Sequence, residues 1–111
     1  MSGSYIGDVP NVKDVSPLDH VNVQVTLGAV YAEICRQDVL ARSGKFGGTH
    51  ILPSGPNLAR FGVLGEEVGE VGRECNEQLM GRYDKENLVK ELVQVAACAV
   101  AWATALESGT S

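Results

Sequence analysis

Gly81 separates two stretches that both read as long helices, and that arrangement leaves the chain few ways to fold. Before it, residues from Asn57 to about Met80 carry an approximate apolar stripe of Phe61, Leu64, Val68, Val71 and Leu79. After it, Leu88, Leu92, Val95, Ala99, Trp102 and Leu106 recur at four- and three-residue steps, a heptad-like seam. A glycine just past a helix end stops the helix, because it enters the left-handed region without a Cβ clash. Asp84 then has the side chain to cap a new helix. The two stretches are predicted to fold back on each other as an antiparallel helical hairpin.

A third helix is predicted upstream. Ser16-Pro17-Leu18-Asp19 has the order of a helix start: Ser16 as N-cap, Pro17 at the first helical position and Asp19 near the positive end of the dipole. The helix is expected to run to about Ala41, with Val23, Leu27, Val30 and Ile34 on the face that enters the core. Its later polar residues, Arg36, Gln37 and Asp38, are read either as an exposed end or as part of a pocket. Residues 42–57 form a Gly/Pro-rich loop of the length that is usually functional or disordered. The loop holds Lys45, which could reach a bound phosphate, and His50, read as an exposed histidine, but no P-loop spacing. Residues 1–15 are read as a flexible arm and 108–111 as a fraying tail.

The fold class expected is all-α. Residues 16–107 form one domain with helices at about 17–41, 58–80 and 85–107, a bundle of three main helices completed by oligomerisation. Gly62, Gly65, Gly69 and Gly72 recur at helical spacing on the second helix, at a cost of about 1 kcal/mol each relative to alanine. With Ala96, Ala97, Ala99, Ala101, Ala103 and Ala105 making the third helix slender, close approach of the two backbones is expected.

Charge narrows the partners. A net charge of −5 and a pI near 4.9 disfavour a nucleic-acid polymer, which clustered Lys and Arg would hold. Cys35, Cys75 and Cys98 are odd in number and widely spaced, and read as reduced, partly buried thiols of a cytoplasmic protein. The start of the chain lacks the basic and apolar regions of a signal peptide, and the longest apolar run, Val95 to Ala103, is too short to span a bilayer. No membrane partner is expected.

The chemistry concentrates at Glu66-Glu67-Val68-Gly69-Glu70, three carboxylates within five residues of one helix. Like charges at helical spacing destabilise an isolated helix by about 0.2–0.5 kcal/mol per pair, so a solvated acidic face and a cation site compete as explanations. The hairpin decides between them. Counted from Gly81, Glu70 lies about eleven residues before and Glu91 about ten after, while Glu67 and Gln94 lie about fourteen before and thirteen after. Equal distances from the turn are equal heights along the axis, so Glu67, Glu70, Glu91 and Gln94 are predicted to form a four-cornered polar patch between two helices. Carboxylates converging there call for a hard cation, Mg²⁺ or Mn²⁺. A di-iron site would need Glu-x-x-His, and neither His20 nor His50 follows a Glu by three.

Glu66-Glu67-x-x-Glu70 followed by Glu91-x-x-Gln94 resembles the signature of the MazG-like all-α nucleotide pyrophosphohydrolases, EExxE, a spacer, then ExxD. Val63-Leu64-Gly65 before the first motif and Asn87-Leu88-Val89-Lys90-Glu91-Leu92 before the second fit the same pattern, and residues 93–102 resemble the short phage and bacterial members. The resemblance covers residues 57–107. Over the first helix it is confined to Arg36-Gln37-Asp38 and the later Lys45-Phe46-Gly47. It implies Mg²⁺-dependent hydrolysis of a nucleoside triphosphate, a dNTP in this reading, to the monophosphate and pyrophosphate in a dimer or tetramer. It implies Glu67, Glu70, Glu91 and Gln94 as metal ligands and Glu66 as the residue that orients or deprotonates the attacking water. Lys45 and Arg60 are further candidates for phosphate contacts. Gln94 departs from the pattern, which has Asp, and removes one negative charge from the site. That departure keeps a second expectation open: a catalytically silent helical module that binds nucleotide or a protein partner.

Overall fold

A computed structural model describes residues 17–43 and 56–109 of the chain. They form three α-helices and, among the described residues, no strand: α1 (Pro17–Arg42), α2 (Asn57–Leu79) and α3 (Lys85–Glu107). The expected Ser16 cap, the N-terminal arm and most of the central loop, with Lys45 and His50, lie outside the described residues.

α2 stops in a Schellman turn. Gly81 stands at φ +81°, its N–H donates to the Gln78 carbonyl at 3.1 Å, and the Arg82 N–H donates to the Glu77 carbonyl at 2.8 Å. These bonds satisfy carbonyls that the helix end leaves without partners. The Arg82 side chain closes the turn with an ion pair to Glu77. Asp84, in extended backbone, then accepts the Asn87 N–H on its Oδ1 at 3.0 Å and starts α3. The predicted stop and cap both stand, and only residues 80–84 separate the two helices.

From that turn α2 and α3 run antiparallel. Near the turn, the Asn87 side-chain amide donates to Glu74 at 2.6 Å. At the far end, the Trp102 indole N–H donates to Asn57 Oδ1 at 3.0 Å. The expected role of Asn57 as N-cap is corrected here: Pro56 holds the cap position and Asn57 is the first residue of α2. Asn57 already has its place inside the first turn, and its amide oxygen accepts from Trp102.

α3 is the central element and packs against both α1 and α2. Among the described residues, Val30 of α1 and Ala97 and Ala105 of α3 are the buried apolar residues, and no large side chain is fully buried. Several expected core positions face outward instead. Val23 and Leu27 of α1, Phe61, Val68 and Leu79 of α2, and Leu92, Ala99 and Leu106 of α3 are exposed. α1 and α2 each lay only a narrow strip against α3, and that strip is partly polar.

The glycine stripe is a second correction. Gly62, Gly65, Gly69 and Gly72 are exposed, and a Cβ built on any of them meets nothing within 4 Å. They lie on the side of α2 turned away from α3, so the hairpin does not use them for close backbone approach. A third concerns the bilayer test. α3 holds an 18-residue window of mean hydropathy 1.4, long and apolar enough to cross a membrane by length and composition, because the alanines and valines outweigh its few charges. Only 11% of that window is buried, so α3 does not meet the test as an enclosed core helix would. The thiols also differ from expectation: Cys35 and Cys75 are exposed and only Cys98 is half-buried.

Gly81→Ala is expected to cost about 1–2 kcal/mol, the penalty of a left-handed residue with a Cβ, and to lower the melting temperature by roughly 4–8 °C per kcal/mol. Thermal denaturation followed by circular dichroism checks this; an unchanged melting temperature would show that the turn adopts another conformation without loss.

Candidate functional site

The inner strip of α2 carries Arg60, Glu67 and Glu74 at seven-residue intervals, two helical turns apart, and so on nearly one line. Arg60 and Glu74 are 3% and 9% exposed, and Glu67 is half-buried between them. A helix that turns charged residues toward its neighbour must find each a partner or leave the charge costly. Glu74 has Asn87. Glu67 has Gln94.

The Gln94 amide lies against both carboxylates, and the orientation assigned from its neighbours turns the nitrogen inward, to donate to Glu67 Oε2 at 3.2 Å and to Glu91 Oε2 at 3.0 Å. The predicted heights therefore hold for three of the four corners: Glu67 of α2 meets Glu91 and Gln94 of α3. Glu70 is the exception. It lies half-buried on the same side but pairs with Arg73 of its own helix at 2.7 Å. Glu66 is exposed beside Glu67, and Arg60 stands about 10 Å along the axis from Glu67, two turns nearer the start of α2. Lys45 lies outside the described residues.

The electrostatics of the group are those of uncompensated negative charge. Burial pushes the Glu67 carboxyl up from its ordinary value, and the charges of Glu91, Glu70, Glu33 and Glu66 push it further the same way. The Cys98 thiol, half-buried one turn beyond Gln94 on α3, is pushed up to about 11 by burial first and then by Glu67 and Glu33. It stays a neutral thiol at physiological pH, not a nucleophile.

Glu33 is the residue that sequence reasoning missed. It sits on α1 near Val30 and Gln37, in the strip of that helix that turns inward. Its carboxylate accepts from Arg36 Nε at 2.9 Å and from Gln37 Nε2 at 2.9 Å, and the bond from Arg36 holds its pKa below the ordinary value. Glu33 thus brings a third helix to the acidic group, already paired within α1. The signal was available in the spacing: Val30, Glu33 and Gln37 follow helical steps of three and four, on the line that Val23 begins seven residues before Val30.

Among the described residues, no group of three or more His, Cys, Asp or Glu gathers closely enough to hold a metal ion. The reason is geometric: Glu70 is drawn to Arg73, and the Gln94 amide stands between Glu67 and Glu91. The donor set nonetheless suits a hard divalent cation. Glu67, Glu91 and the Gln94 carbonyl offer oxygen ligands from two facing helices, in a field that already disfavours the Glu67 charge. Comparison of the chain with family models, curated proteins and solved structures finds no match.

Because the Glu67 pKa is raised on folding, its contribution to stability is fully present below the ordinary carboxylate value of 4.5 and is lost as pH rises through the raised folded value. Glu67→Gln keeps an acceptor for Gln94 and removes the charge. The variant is expected to be more stable than the native chain at pH 7 and equal to it near pH 4. Urea denaturation across that range checks the sign, and a variant less stable at pH 7 would refute it.

Proposed function

We propose that the chain is a MazG-like nucleoside triphosphate pyrophosphohydrolase, with a Mg²⁺ or Mn²⁺ site built on Glu67, Glu91 and Gln94 and a dNTP as the substrate class. One observation carries the reading: carboxylates from two antiparallel helices converge on one amide, at a point where burial and four neighbouring carboxylates disfavour the charge of Glu67. A divalent cation reverses that penalty and is the partner such a group is suited to hold.

In this reading Glu67 and Glu91 hold the cation, and Gln94 joins them through its carbonyl once its amide turns over. Glu70 completes the set by leaving Arg73, a single exposed ion pair of the kind worth about 0–1 kcal/mol and therefore cheap to exchange. Bound there, the cation supplies charge neutralisation for the phosphates and makes a nearby water more acidic. Glu66, free on the exposed side of Glu67, accepts a proton from the water that attacks the α-phosphorus. The bond between that phosphorus and the bridging oxygen breaks, and pyrophosphate leaves. Arg60 and Lys45 are the candidate cations for the remaining phosphate charge. The many exposed apolar side chains, Phe61, Val68, Leu92 and Leu106 among them, support completion of the bundle by further copies of the chain as a dimer or tetramer.

A second reading is favoured by one specific contact. Gln94 hydrogen-bonds both carboxylates and so gives each a donor without a metal, which suits a silent nucleotide-binding or protein-interaction module of the same fold. Release of pyrophosphate from a panel of (d)NTPs with Mg²⁺ separates the two. Turnover is expected for at least one deoxynucleotide and is expected to be abolished in Glu91→Ala with helicity retained; no turnover from any nucleotide by a folded native protein leaves the module.

Gln94→Asp tests the departure from the family pattern. It restores the missing charge and removes the amide that bridges Glu67 and Glu91, so affinity for Mg²⁺ is expected to stay equal or rise while stability without the metal falls. Isothermal titration with Mg²⁺ reads the first and thermal melting the second. A large fall in affinity would show that the amide itself is required.

A further inference from the structure

The packing between α2 and α3 does little to fix how far one helix slides along the other. The buried apolar residues of α3 are small, Ala97 and Ala105, the strip that α2 turns inward is the charged Arg60, Glu67 and Glu74, and among the described residues no large side chain is fully enclosed. Small flat contacts resist sliding weakly, because few side chains interlock. Yet a slip of one residue moves a side chain by about 1.5 Å along the axis and about 100° around it. Gln94 would then lose Glu67, while Glu91, three residues before it on the same helix, would stay within reach.

Asn87 is placed to prevent that slip. Its backbone N–H is held by the Asp84 cap at 3.0 Å, and its side-chain amide donates across the hairpin to Glu74 at 2.6 Å. Glu74 is buried, so the bond is made to a carboxylate sheltered from water, where charge-assisted hydrogen bonds are strong and costly to break. The spacing links this tie to the site. Glu74 and Glu67 are seven residues apart on α2, and Asn87 and Gln94 are seven apart on α3. The Glu74–Asn87 bond and the Glu67–Gln94 bond are therefore the same rung repeated two turns further from Gly81.

We infer that Asn87 is a positioning residue, whose tie to Glu74 sets the helix register that brings Gln94 and Glu91 of α3 against Glu67 of α2. Its side-chain amide is engaged by Glu74, one turn from Glu91 and two turns from Gln94 along α3. Its consequence for cation binding rests on the proposed function, whereas its consequence for the hydrogen-bonded group does not.

The experiment uses the full chain and two readouts: nuclear Overhauser contacts between the Gln94 side-chain amide and the Glu67 γ-protons, and Mn²⁺ affinity by titration. Asn87→Ala is expected to lose the contacts and to weaken Mn²⁺ binding about tenfold or more, the usual effect of removing support behind a ligand. Exchanging the pair, Glu74→Gln with Asn87→Asp, rebuilds the bond in the opposite direction and is expected to restore both readouts relative to Asn87→Asp alone, which sets two carboxylates against each other. Unchanged contacts in Asn87→Ala, or an exchange no better than Asn87→Asp, would overturn the inference. Should Asn87→Ala fail to fold, the comparison of the exchange with Asn87→Asp decides. If the contacts follow this pattern while the native chain binds no Mn²⁺, the register assignment stands and the cation reading falls.

Discussion

The five-residue connection around Gly81 governs the rest of the molecule. Its positive φ lets the Gly81 and Arg82 amides fold back onto the last carbonyls of α2, and Asp84 opens α3 almost at once. With so short a connection, the helices can only run side by side in opposite directions. Every polar contact between them then follows by counting: Asn87 with Glu74, Gln94 with Glu67, and Trp102 with Asn57 at the open end. The acidic group lies some twenty ångströms from that turn, at about 1.5 Å for each of the fourteen residues from Gly81 back to Glu67, with the Asn87–Glu74 bond between the two.

What the hairpin brings together is unusual for a helix interface. Arg60, Glu67 and Glu74 of α2 face inward while Phe61 and Val68 face outward. A bundle that shelters its charges and exposes its aromatics invites two partners, a ligand for the first and protein surface for the second. Glu33 adds to the inner charge from α1 but is already satisfied by Arg36 and Gln37, so it deepens the field around Glu67 without competing for the same partner. Cys98 belongs to the same setting, held neutral by burial and by those two carboxylates.

Sequence reasoning was strongest where one residue has one physical job. Gly81 as stop, Asp84 as cap and the matching heights of Glu67 and Gln94 could all be read from spacing, because turn chemistry and helix rise are local properties. It was weakest where a helix offers two plausible faces. The glycines of α2 and the leucines of α3 were assigned to the contact, and both lie largely outside it. Periodicity reports that a face exists and not which neighbour covers it. Asn57 was misplaced for a related reason: a residue fit to cap a helix is equally fit to accept from a distant indole, and only the arrival of Trp102 chooses.

The acidic motif, the helix count and the turn between α2 and α3 follow from the order of residues, since each depends on neighbours within a few positions. The tertiary structure decided the rest: that α3 lies between α1 and α2, that Glu33 joins the acidic group, that Glu70 turns to Arg73 and that Gln94 ties Glu67 to Glu91. Those outcomes turn on which side of each helix meets its neighbour, and a rotation of one helix by a single residue's 100° would change all of them while leaving every local preference intact.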